Sequence, residues 1–153
     1  MRFTRLFSFI AATAAFFAVS ASSAADPVVI KMATLVPAGS NWNRSLLEMG
    51  QKWQQISGGK VVVKLYAGGV AGDDADVVRK MRLGTLNAGL LATTGIADID
   101  RSVLALQIPM LYADYDEADW VADKMTPALE AKFDAKGFVV LAWVDGGWAH
   151  FFT

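Results

Sequence analysis

From Val28 to Leu35 only Lys31 and Thr34 interrupt an apolar run, the pattern of a strand covered on both faces. Val36-Pro37-Ala38-Gly39 ends that run, and Ser40 or Asn41 can cap a helix whose apolar residues Trp42, Leu46, Met49, Trp53 and Ile56 recur at helical spacing. Gly58-Gly59 offers a left-handed exit, after which Lys60 to Tyr66 is again strand-like. A glycine-rich turn, Ala67-Gly68-Gly69-Val70-Ala71-Gly72, leads to Asp73-Asp74 at the start of a second helix. In that helix Val77, Val78, Met81 and Leu83 point inward, Arg79, Lys80 and Arg82 point outward, and Gly84 stops it. Asn87 to Ala92 is a short third strand, followed by Thr93-Thr94-Gly95.

The later part of the chain is less regular. Ile96 to Tyr112 lacks a period, and Ile108-Pro109-Met110 breaks any helix there. The carboxylates of Asp114, Asp116, Glu117 and Asp119 suit a helix start, with Trp120, Val121 and Met125 inward. Thr126-Pro127 has the form of a cap plus first-turn proline, which predicts a separate helix up to Gly137. Phe138 to Val144 reads as a fourth buried strand, and Trp148 onward, beyond Asp145-Gly146-Gly147, as another. Strands alternating with helices predict an α/β fold: a mostly parallel sheet flanked by helices, with any ligand at the carboxyl ends of the strands.

The extreme N-terminus alters this picture. Arg2 and Arg5 precede an uncharged apolar run, Leu6 to Val19, and then the small residues Ser20 to Ala25. That is the layout of a cleaved secretory signal peptide, since a bilayer span takes about 20 apolar residues. The expected organisation is a signal peptide over 1–25, an α/β lobe over 26–145, and the start of a crossing strand over 146–153. With no cysteine in the chain, neither a lipid anchor nor a disulfide nor a thiol nucleophile is expected. Loss of Arg2 and Arg5 takes the 14 basic residues to 12 against 15 acidic ones, a formal charge of −3 with no basic patch, which argues against nucleic acid as a partner.

Catalytic patterns are missing from the sequence. The one histidine, His150, lies among phenylalanines, and neither GxSxG nor HExxH occurs. The acidic run from Asp114 lacks the glycine and the terminal glutamate of a calcium loop. No metal or cofactor is expected, and no enzymatic turnover.

Binding chemistry has better candidates. The Gly68 to Gly72 turn lacks the GK[ST] ending of a phosphate loop, and Asp73 and Asp74 would repel an anion at the helix start. Asp73 can serve as a plain cap while Gly69, Val70 and Asp74 face a cleft. Thr93 and Thr94 offer hydroxyls with little bulk directly after a strand, either for a ligand or for a turn. Trp42, one turn beyond the first strand, can line a pocket or pack in the core.

From Ile30 to Thr153 the chain resembles the periplasmic solute-binding subunits of tripartite ATP-independent periplasmic (TRAP) transporters, the DctP-like family. The resemblance rests on Lys31-Met32-Ala33-Thr34 through Ser40, Ser57 to Val61 into Leu65-Tyr66, Gly72-Asp73-Asp74, Met81 to Leu86, Leu106 to Tyr112, Glu130 to Phe138, and Asp145 to Trp148. It implies a periplasmic-binding-protein-like fold in which two α/β lobes close over a small organic solute and hand it to membrane permease subunits. The family being about twice as long, this chain would be its first lobe, cut before the second. Solute-touching positions of the family map onto Leu35 and Val36, the Gly72-Asp73-Asp74 turn, Leu91 to Thr94, and the neighbourhood of Trp148. Many relatives carry an arginine where this chain has Trp148, Ala149 and His150, and the wall formed by Leu35, Trp42, Val70 and Trp148 is apolar and aromatic. A carboxylate or an amphiphilic solute both remain open on these residues. An exported interaction protein, or a fragment without ligand, is the alternative.

Overall fold

The computed structural model describes residues 26–148. The proposed signal peptide and residues 149–153, His150 among them, lie outside the described residues. β1 (Val28–Thr34), α1 (Asn41–Ile56), β2 (Val61–Tyr66), α2 (Asp74–Arg82), β3 (Ala88–Leu90), the one-turn α3 (Thr93–Ile96), a 3-10 turn (Arg101–Gln107) and α4 (Tyr115–Asp134) follow in order. The strands form a parallel sheet of order β2-β1-β3. The α/β class and parallel pairing expected from the alternation are therefore present.

Register explains how β1 is covered. It pairs with β2 along almost its whole length, Val28 with Val61 through Ala33 with Tyr66, but with β3 only at Met32, Ala33 and Thr34. Only those three residues are buried, while Val28 and Val29 are exposed. The expected two-sided burial thus holds for half of the strand, because a short β3 leaves the first half with one neighbour.

Ser40 caps α1 by accepting from the Asn43 amide, and Gly58 and Gly59, both at positive φ, end it. The helix lies on β2, and a Cβ on Gly50 would sit 3.1 Å from the Cβ of Val63. Its half-buried side is Leu46, Met49 and Trp53, whereas Trp42 and Ile56 at the two ends of the stripe are exposed. α2 buries Val77 against Ala33 and Leu86, and Val78 against Ile99, Val103, Leu129 and Phe133, so it stands between two clusters. Leu83, expected to face inward, is 67% exposed, because α2 ends one residue earlier and Leu83 is its C-cap.

Three further expectations change. Thr126-Pro127 does not begin a helix. α4 runs straight through Pro127, and the Thr126 hydroxyl donates to the Ala122 carbonyl at 2.8 Å. A pair of side-chain bonds upstream, with the Asp114 carboxylate accepting from Glu117 N and the Glu117 carboxylate accepting from Ala113 N, had already started the helix. Burial of Leu129 and Phe133 one turn apart beyond the proline supplies the packing that carries the helix past it. Trp120 is not inward but 63% exposed, its ring meeting the Lys124 ammonium.

Phe138–Val144 joins no ladder among the described residues. Phe138 N donates to Phe133 O, and the Trp143 indole donates to the Glu130 carboxylate at 3.1 Å. Phe138, Val140 and Trp143 pack on the α4 cluster, so the segment rides along α4 with Val139, Leu141 and Val144 exposed. Alternation announces an extended half-covered segment, but it does not name a hydrogen-bonding partner. At the end of α4, Lys136 donates to the Ile99 carbonyl and to the Asp100 carboxylate, and the second of these bonds, with those from Ser102, holds Asp100 well below the usual carboxylate range.

Candidate functional site

The sheet order locates the crevice. The connection leaving β1 runs to β2 on one side, whereas β2 returns across β1 to reach β3 on the other. Adjacent parallel strands whose connections depart in opposite directions leave a gap at their carboxyl ends, which here falls between β1 and β3. Thr34 pairs with Leu90 at that end, so Leu35-Val36 and Leu91 onward are the residues that diverge there.

Backbone hydrogen bonds lace the turn after β2 to the same place. Gly68 N donates to Val36 O at 2.8 Å and Gly69 N to Thr34 O at 3.1 Å. The Thr34 hydroxyl, nearly inaccessible to solvent, accepts from Val36 N. Gly68 and Gly69 have φ of +70° and +74°, a region that costs an L side chain strain and glycine none. Lys80, expected outward, instead reaches back along α2 and donates its ammonium to the Ala71 carbonyl at 2.6 Å. Long helical side chains lean toward the N-terminus of their helix, which makes that return possible.

The third loop is held by a carboxylate. Asp73 caps α2 by accepting from Asp76 N at 2.8 Å, which leaves Asp74 free of that task. Asp74 is 8% exposed; its Oδ2 accepts from Ala92 N at 3.2 Å, and its Oδ1 is buried with no hydrogen-bond partner among the described residues. Gly95 is buried directly against this side chain. Burial pushes the Asp74 carboxyl above its ordinary value of 3.8; the Ala92 hydrogen bond opposes that shift and the neighbouring Asp73 charge adds to it. A carboxyl raised in the folded state is bound best as the neutral acid, so its contribution is most favourable below the unfolded value and is lost as pH rises through the folded one. The stability advantage of Asp74→Asn over the unsubstituted chain is therefore expected to grow as pH is raised from about 3.8 toward neutrality. Urea midpoints of the two proteins, compared at each pH, check this, and parallel curves would refute it.

The sequence-predicted residues fall into two groups. Leu35, Val36, Gly69, Val70, Asp74, Leu91, Thr93 and Thr94 all stand at the carboxyl edge of the sheet, on three loops and the helix starts that follow them, tied to one another. Within that group the side chains differ: Leu35 and Val70 are exposed, Thr94 is exposed and Thr93 half-buried. Leu91 packs against both core clusters, and Asp74 is turned under the third loop rather than out into the open. Trp42, in the first turn of α1, is 41% exposed. Trp148 stands apart, meeting the ring of Tyr115 at the start of α4 edge-on, with centroids 5.2 Å apart. Two surface hollows, of about 120 Å³ between α1 and β2 and about 410 Å³ beside α4 and Phe138, are lined by none of the strand-end residues.

Sequence reasoning missed Lys80 and Gly95. Lys80 has the helical spacing of an outward residue, and only the fold brings the Ala71 carbonyl within its reach. Gly95 carries a faint signal, since it is a residue without a side chain directly after two threonines, but the sequence does not say what it touches.

An α/β lobe with its strand-end loops gathered at a switch point has the fold of a periplasmic-binding-protein-like lobe. The chain belongs to the bacterial extracellular solute-binding proteins of family 7, whose model matches residues 32–153. It is similar to a solute-binding protein of Verminephrobacter eiseniae, 28% identical over 98 residues, covering 63% of this chain and 29% of that one. The 2,3-diketo-L-gulonate-binding periplasmic protein YiaO of Escherichia coli is 26% identical over 96 residues, covering 62% and 29%. A TRAP periplasmic solute-binding protein from Pseudomonas putida F1, solved with bound D-glucuronate, overlays with a TM-score of 0.70 at 28% identity, covering 78% of this chain and 40% of the other. The chain thus spans less than a third of the length of the curated relatives it matches. No helix among the described residues is long and apolar enough to cross a membrane.

Proposed function

We propose that the strand-end loops form one wall of the solute cleft of an exported TRAP-type receptor. The observation that carries this reading is the lacing of three loops at the β1/β3 switch point through Gly68, Gly69 and Asp74. Leu35, Val36, Gly69, Val70, Thr93 and Thr94 face the solute, Trp42 flanks them, and Leu91 backs the wall. Trp148 lies in the segment, 146–153, that leads from this lobe toward a second one, and residues 1–25 direct export to the periplasm. Of the relatives above, one is named for binding 2,3-diketo-L-gulonate and one was solved with D-glucuronate, so the solute class is a small polyhydroxy acid, which membrane permease subunits then receive.

A single wall buries too little of a small molecule for tight capture, so weak binding is expected of this chain alone. Titration of the isotope-labelled chain with D-glucuronate to tens of millimolar, followed by amide chemical shifts, tests the assignment. Movement is expected at Val36, Gly69, Val70, Thr93 and Thr94, and none at Gln54 or Glu130. Shifts centred on the α1/β2 hollow, or on the hollow beside α4, would overturn the reading.

A further inference from the structure

We infer that Asp74 is a positioning residue: through the Ala92 amide its carboxylate anchors the N-cap residue of α3 and so fixes where Thr93 and Thr94 sit. The inference rests on the cleft reading above and adds a role distinct from solute contact. α3 has four residues, and its N-cap position is Ala92, which has no side-chain acceptor. A helix of one turn cannot hold itself in water, because nucleation fixes several dihedrals for each hydrogen bond gained. The Ala92 amide at its head is satisfied by a residue 18 positions earlier in the chain.

The support at the other end is rigid. Asp74 is the first residue of α2, Asp73 already caps that helix, and Val77 and Val78 root it in the two core clusters. Two adjacent carboxylates therefore do different work: Asp73 finishes its own helix, and Asp74 holds the next loop. Gly95 completes the joint, since a Cβ there would lie 2.7 Å from the Asp74 Cγ and 2.8 Å from its Oδ2. One carboxylate oxygen takes part in the latch and the other does not. An asparagine, with one carbonyl oxygen in that place, keeps the acceptor; alanine removes it.

Amide hydrogen exchange of the chain tests the latch without reference to any solute. In Asp74→Ala, exchange at Ala92, Ile96 and Ala97 is expected to quicken about tenfold, with β1 and β2 amides unchanged. Asp74→Asn should restore the slow rates. The apparent dissociation constant for D-glucuronate should follow the same order, rising about tenfold in the alanine variant and little in the asparagine one. Should Asp74→Ala prove too unstable to assay, Gly95→Ala, which pushes the loop off Asp74 from the other side, is expected to quicken the same amides. Uniform acceleration over the whole chain, failure of asparagine to rescue, or local acceleration without any change in solute affinity would each overturn the inference. Absence of solute shifts in the unsubstituted chain would count against the cleft reading instead, and the exchange rates would still decide whether Asp74 holds the loop.

Discussion

Phe133→Ala is expected to lower the unfolding free energy by about 3 to 5 kcal/mol, the range for deleting a well-packed aromatic ring. Phe133 is 1% exposed and lies at the centre of the cluster made by Val78, Ile99, Val103 and Leu129, with the Trp143 ring tilted against it at 6.0 Å. Its neighbours come from α2, the turns after α3, α4 and the tail, so none can close on the cavity without moving an element. Domain stability is about 5 to 15 kcal/mol in total, which makes this loss enough to unfold much of the chain at physiological temperature. Urea denaturation followed by tryptophan fluorescence measures it. A loss of under about 1 kcal/mol would mean that α4 is not packed as described.

Gly95→Ala is expected to cost about 3 kcal/mol, the upper end of what overpacking costs. The added carbon would fall inside the Asp74 side chain, whose Cα belongs to a helix rooted in both clusters, so neither partner yields cheaply. Displacing α3 also exposes Ile96 and Ala97, which pack on the α4 cluster. Gly146→Ala is the matched control, with no atom within 4 Å of the added carbon and no positive φ, and should leave the midpoint unchanged. Equal midpoints for the two variants would show that Gly95 is not pressed against Asp74.

Much of this architecture was legible in local pattern. Ser40, Asp73 and Asp114 each put a short polar side chain before a periodic run, and each accepts the amide three residues on. The strand-end glycines were legible for the same reason, because a turn that needs positive φ leaves few other residues possible. Where local rules compete, the reading failed. Thr126-Pro127 matches a helix start, yet packing of Leu129 and Phe133 outweighs the lost backbone hydrogen bond and the helix continues. Phe138–Val144 alternates as a strand does, but its apolar residues are taken up by α4.

The order of residues alone settled the α/β class, the β1-α1-β2-α2-β3 succession and the family, since hydrophobic period, caps and glycine turns act over a few neighbouring positions. Tertiary structure alone decided that Asp74 turns beneath Gly95 while Val70 stays open to water, that Lys80 returns to the Ala71 carbonyl, and that Trp148 rests on Tyr115. Those outcomes join residues distant along the chain, and which of them meet depends on how helices and sheet pack together, a property no short window of sequence contains.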